Sequence, residues 1–219
     1  MSTAATAGGA GENRPEVPEL MLASSSPRRR QLLQRSGLRY RVVPPVADDS
    51  DVPGSIGGSI ADRTVALAWL KAASTLEVLG DADRQGGLLL AADTLVADGD
   101  RPLGKPASER DAERTLRALA GRTHLVWTGH ALVAPGSGWR RLWADAAAVR
   151  FGPIDESHLR RHLASGAWRG RAGGYSLDEV TRAGWDVECD GDPDVVLGLS
   201  TAKVREALIA FASRGAGLG

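Results

Sequence analysis

From Leu20 to Phe211 the sequence keeps switching its apolar period, so that short β-like runs alternate with stretches of helical spacing. That alternation confines the chain to an α/β class, a sheet covered by helices, because each kind of element must bury its apolar face against the other. No internal repeat and no Pro/Ser-rich linker divides the run, and 219 residues suffice for one full-sized core. A single domain over 19–214 is expected. The stretch before it, MSTAATAGGAGENRPEVP (1–18), is small, polar and Pro/Gly-punctuated and reads as a disordered tail, while 215–219 read as a frayed end.

Local signals place the elements. Leu20–Ala23 is strand-like, Pro27 suits the first turn of a helix that carries Leu32 and Leu33 inward, and Gly37 stops it. Leu38–Val43 is the next strand. A helix over Ser59–Leu79 shows an apolar stripe of Val65, Trp69, Ala72, Leu76 and Leu79, with Lys71 off that stripe. Gly87–Ala92 reads as a buried strand, and Asp98-Gly99 is a hairpin signal. Ser108 caps a helix with Asp111 three residues on; His124–Val133 and Trp139–Phe151 pair around the turn Pro135–Gly138. Asp155–Ser165 is helical, β-like runs follow at Asp186–Glu188 and Val195–Leu199, and a last helix presents Val204, Leu208 and Phe211.

Charge excludes some functions. Lys plus Arg equals Asp plus Glu at 27 each, so no global field favours a nucleic-acid polymer or an anionic membrane, and any basic site must be local. The one cysteine, Cys189, rules out an internal disulfide framework and reads as a small core residue in a reducing compartment. His124, His130, His158 and His162 form no zinc spacing and read as surface residues, and Trp69 reads as core. With no apolar stretch near the ~20 residues that span a bilayer and no leader pattern, the expected location is the cytoplasm.

The chemistry concentrates after the first strand, in LMLASSSPRRR. Read alone, this is either a solvated turn or an anion site. A strand, a serine-rich turn and a proline-started helix gather backbone N–H groups and hydroxyls around one point, and arginines on a first helical turn oppose the helix dipole unless an anion sits there. AADTLVADGDRPLGKP offers Asp93 at the end of an apolar strand and returns through the turn to Lys105, so one hairpin can aim a carboxylate and an ammonium at the same cleft.

Taken together, ASSSPRRRQLL, AADTLVADGDRPLGKP, LAGRTHLVWTGHALV, RAGGYSLD and GDPDVVLGLS resemble, in order and spacing, the Maf family of nucleoside triphosphate pyrophosphatases, also called septum formation inhibitor Maf-like proteins. The resemblance runs from about Glu19 to Leu208. It implies an elongated mixed β-sheet with flanking helices and two lobes around a cleft, similar to the inosine triphosphatase-like (Maf/Ham) fold. It also implies a hydrolase that splits a nucleoside triphosphate into monophosphate and pyrophosphate with the help of Mg²⁺ or Mn²⁺.

Carried over residue by residue, Ser24, Ser26, Arg28 and Arg29 fall on the family's phosphate-binding loop. Lys71 and Lys105 fall on lysines that reach the same cleft, and Asp93 falls on its proton acceptor and metal ligand. The family's acidic motif has Glu where VADDSD offers Asp48 or Asp49 as a shorter metal ligand. Asp178 stands where the uridine and thymidine triphosphatase branch commonly has Gln, and Glu179, Thr181 and Arg182 stand where it has glycines; Asp178 then accepts from a base N–H. The SPRRR and ADT wording is more similar to that branch than to the 7-methylguanosine one, so pyrimidine triphosphates (dTTP, UTP) are the implied substrates, in a house-cleaning role. The partners expected are the nucleotide and a second copy in a homodimer. The alternative is a catalytically weak nucleotide-binding regulator acting through a protein partner.

Overall fold

Strand β1 (Leu20–Ala23) is an unbroken apolar run buried on both faces, as suits a strand with neighbours on either side and layers above and below. It pairs in parallel with β2 (Tyr40–Val43) and β3 (Leu88–Asp98). β3 pairs antiparallel with β4 (Arg101–Leu103) and β5 (Thr123–Val133), β5 with β6 (Arg140–Phe151), and β6 with β7 (Val187–Asp190). The product is a mixed seven-stranded sheet ordered β2-β1-β3-β5-β6-β7, with β4 also on β3. The computed structural model describes residues 19–46, 57–84 and 87–215. Residues 1–18, Asp48, Asp49 and 216–219 lie outside the described residues.

The helices are α1 (Pro27–Ser36), α2 (Ile60–Val78), α3 (Asp81–Arg84), α4 (Glu109–Leu119), α5 (Glu156–Ser165), α6 (Leu177–Arg182), α7 (Pro193–Leu197) and α8 (Thr201–Gly215). The two-residue period of β3 distributes them. Leu88, Leu90 and Ala92 pack with Leu32 and Leu33 of α1 and Val204 and Leu208 of α8, while Leu89 and Ala91 meet Ala68 and Ala72 of α2 on the opposite face. Farther along, Val96 joins Leu116 of α4, Leu159 of α5 and Phe151 in a separate core. The long strands thus carry one core at each end. Among the described residues no helix is long and apolar enough to cross a membrane.

Several expectations need correction. β3 does not end at Ala92 but runs to Asp98, so Asp93 lies in mid-strand. Val195–Leu199 is not a strand: Asp192 accepts from the Asp194 N–H and Pro193 takes the first helical position, which starts α7 instead. The stripe of α2 is broader than expected. Ala72 and Leu79 are buried and Trp69 and Leu76 pack half-buried against the same core, Trp69 beneath the Arg140 guanidinium at 5.5 Å from its ring centre, while Ile60, Thr64, Ala68, Lys71 and Thr75 are buried as well. The cause is close approach: a Cβ on Gly129 of β5 would sit 2.2 Å from the Thr64 carbonyl, so the helix backbone itself rests on β5 there.

His124, His130 and His162 are buried, because each finds a distant partner. His130 Nε2 accepts from the Ser200 N–H at 3.0 Å and its ring stacks on Trp143; His124 Nε2 meets the Tyr175 hydroxyl at 2.6 Å; His162 Nε2 lies 2.8 Å from the Gly174 carbonyl. Burial pulls His124 down to about 4 and His130 to about 3. Both rings are therefore neutral at pH 7 and serve packing. Cys189 is only half-buried, on β7.

Candidate active site

The pairing of β1 with β3 ends at Leu22 and Leu90, whereas β3 continues and meets β4 only from Val96. Over that gap, off the carboxyl end of β1, opens a cavity of about 820 Å³. The carboxyl edge of parallel strands is where open α/β sheets take ligands. Ser24, Ser26, Arg28, Arg29, Lys71, Asp93, Lys105 and Asp178, drawn from distant parts of the sequence, all line this cavity. Asp48 lies outside the described residues.

The near wall is the start of α1. Pro27 stands in its first turn, no acid is found there, and Ser26 places no side-chain oxygen on the free N–H groups. Arginines instead follow the proline, an arrangement that an anion stabilises and its absence leaves costly. Ser24, nearly buried, accepts from the Ser26 N–H at 3.2 Å and folds the serine turn on itself. The Arg29 fork donates to Gly198 O at 2.7 Å, Ser24 Oγ at 3.3 Å and Thr94 Oγ1 at 3.2 Å. Thr94 meets Thr128, which donates to Val195 O. Arg29 therefore braces the serine turn against β3 and the end of α7. Burial, and next the guanidinium groups of Arg171 and Arg29, pull Arg28 below its ordinary value, so this wall concentrates positive charge.

At the floor, Lys71 Nζ and Asp93 Oδ1 are 2.5 Å apart, each side chain 8% exposed. The pair exists because α2 sits down on Gly129, the strand neighbour of Asp93. A buried, paired carboxylate beside a cationic wall can hold a water and accept its proton. Lys105 is exposed at the rim. Its loop is held from below, since Gly173 N–H donates to Gly104 O at 3.2 Å and Gly174, at φ 77°, leaves room for Pro106.

The far wall gives the RAGGYSLD segment and the residues after it a place in the site, and adds Arg169, which the sequence motifs leave out. Arg169 and Arg171 of the RGRAGG loop line the cavity with Glu179 and Arg182. Arg171 forks onto Glu179, with Nη2 to Oε1 at 2.7 Å and Nη1 to Oε2 closer still. Asp178 accepts from Arg182 at 3.2 Å and from the Ser176 hydroxyl at 3.5 Å. Arginine alternating with glycine after a helix is the signal that could have found Arg169, since such loops bring guanidinium groups and backbone N–H donors to one anion.

The donor set suits a hard cation held partly by substrate. Mg²⁺ takes one or two carboxylates and completes its shell with phosphate oxygens and water, and Asp93 supplies a carboxylate beside the cationic wall. Among the described residues no cluster of three His, Cys, Asp or Glu side chains could hold a metal by itself.

Comparison with known proteins fits this geometry. The model of the Maf-like protein family matches residues 19–211. Among curated relatives, the dTTP/UTP pyrophosphatase of Chelativorans sp. (strain BNC1) is 42% identical over 161 residues, 73% of this chain and 75% of that one. The dTTP/UTP pyrophosphatase of Pelotomaculum thermopropionicum is 36% identical over 195 residues, 89% and 97% of the two chains. A HAM1 protein structure from Coxiella burnetii aligns over 90% of this chain and 99% of that one, at a TM-score of 0.49 and 15% identity, a likeness too loose to carry residue roles.

Proposed function

We propose, on the premise that this chain belongs to the Maf-like protein family, that it hydrolyses a pyrimidine nucleoside triphosphate of the dTTP or UTP type to the monophosphate and pyrophosphate. The observation that carries this reading is the convergence of Asp93 with the cations Arg28, Arg29, Lys71 and Lys105 on one cavity. Two relatives named dTTP/UTP pyrophosphatase are 42% and 36% identical to it over the aligned residues, which supports the choice of base.

The chain's own groups divide the work. The start of α1 with Arg28, and Lys105 at the rim, take the polyphosphate tail; Arg29 holds the serine turn in place while facing the same charge. Asp93 holds the attacking water and accepts its proton as oxygen bonds to the α-phosphorus. The bond from that phosphorus to the bridging oxygen breaks, and pyrophosphate departs with the electron pair. Cations placed on that tail stabilise the charge as it develops, a larger effect inside a cavity than in water. Asp178 accepts from a base N–H. Asp93, with Asp48 from outside the described residues, would hold Mg²⁺ or Mn²⁺, which supplies charge neutralisation at the phosphates.

Product analysis tests the reaction. Pyrophosphate is expected as the first product from dTTP or UTP, and in ¹⁸O-labelled water the label should enter the monophosphate; orthophosphate as the primary product would overturn the reading. A second measurement concerns the metal. If Asp48 helps hold it with a carboxylate one methylene short, Asp48→Glu should lower the Mn²⁺ concentration giving half-maximal turnover, and Asp48→Ala should raise it. Superimposed titrations of wild type, both variants and Asp49→Ala would remove the acidic cluster from the site.

A further inference from the structure

The Arg171–Glu179 fork is oddly placed for a purely structural ion pair. Both residues line the cavity, and their side chains are 20% and 37% exposed. Arg28 on the opposite wall lies within electrostatic reach of both, repelled by Arg171 and stabilised by Glu179. The Glu179 carboxylate thus sits among the guanidinium groups where an incoming anion would be drawn. Its fork with Arg171 uses the geometry with which arginine also grips a phosphate. A carboxylate and a phosphate oxygen pair cannot both occupy the same edge of one guanidinium.

We propose that Glu179 is an internal counter-anion, which holds Arg171 in the absence of nucleotide and yields it to the polyphosphate tail on binding. The inference rests on the pyrophosphatase reading for the identity of that tail. Two consequences follow from the exchange. An anion of low charge cannot displace Glu179 as well as a triphosphate does, so the pair favours the intact substrate over the monophosphate. After cleavage, recapture of Arg171 by Glu179 weakens the hold on pyrophosphate and speeds its departure.

The test is a double-mutant cycle read by calorimetry, with inorganic pyrophosphate and the α,β-methylene analogue of dTTP as probes at fixed Mg²⁺. Removing the competitor should tighten binding: Glu179→Gln is expected to lower Kd for pyrophosphate on the order of tenfold, the scale of one charge-assisted hydrogen-bonded pair. Glu179→Asp, which keeps the charge, should stay near wild type. Arg171→Ala should weaken binding, and adding Glu179→Gln to it should then change little. Equal or weaker binding in Glu179→Gln, or a gain that persists without Arg171, overturns the proposal. Thermal melting of each variant checks that it is folded, and if Glu179→Gln is not, Glu179→Ala takes its place in the same cycle with the same expected gain. Wild-type protein that binds neither probe overturns the pyrophosphatase reading together with this one, whereas wild-type binding without the gain overturns the counter-anion alone.

Discussion

Replacing Asp93 by asparagine is expected to lower turnover by ~10² or more, the usual scale for losing a general base, while the α,β-methylene analogue of dTTP still binds. The substitution keeps shape and one oxygen but removes the charge that accepts the water's proton. It has a second consequence that must be measured beside the first. Lys71 Nζ, 2.5 Å from Asp93 Oδ1 in a nearly buried pair, loses that opposite charge, and removing one charge of such a pair costs up to about 3–5 kcal/mol. The variant should therefore melt well below wild type, and rates must be compared at a temperature where both are folded. Lys71→Met breaks the same pair from the other side and should cost comparable stability; since Lys71 also faces the phosphates, its turnover falls too, but the pH dependence set by the Asp93 base should persist in it and be lost only in Asp93→Asn. Undiminished turnover in folded Asp93→Asn would take that residue out of the mechanism.

How much of this site could be read in the sequence depends on how local each part is. The strand, serine turn and α1 were legible because Pro27 at the start and Gly37, at φ 70°, at the stop are contiguous signals. Asp93 and Lys105 were legible because one hairpin joins them, although the strand proved longer and Asp93 lies within it. The contact of Lys71 with Asp93 was not. Helical periodicity favoured the larger apolar side chains of Val65, Trp69 and Leu76, and nothing local to α2 reports that it lies on a glycine of a distant strand. A short apolar run such as Val195-Val196-Leu197 fits strand and helix alike, and only Asp192-Pro193 before it favours the helix. Arg171 and Glu179 meet across a 3-10 turn with two left-handed glycines, a path that spacing does not encode. The burial of His124 and His130 is hidden for the same reason, since their partners Tyr175 and Ser200 are 51 and 70 residues away, whereas His162 meets Gly174 after 12.

That glycine of β5 should therefore be the most sensitive glycine among the described residues whose Cβ would meet helix backbone. Gly129→Ala is expected to cost about 3 kcal/mol, the upper part of the usual range for overpacking, because the added Cβ would lie 2.2 Å from the carbonyl carbon and oxygen of Thr64 and 2.5 Å from the Val65 nitrogen. These are helix backbone atoms, so no rotamer change relieves the clash and α2 itself must lift. Lifting it moves Lys71 from Asp93, the register partner of Gly129. A misplacement near 1 Å can cost on the order of 10² in rate where groups must align, so turnover should fall even well below the melting temperature. Gly80→Ala, with nothing within 4 Å of the new carbon, is the control and should change stability by no more than about 0.5 kcal/mol. If Gly129→Ala melts like Gly80→Ala, the seat of α2 is softer than the packing implies. If it melts early yet turns over at the wild-type rate, the close seat matters for folding alone, and the reaction tolerates a longer reach between Lys71 and Asp93.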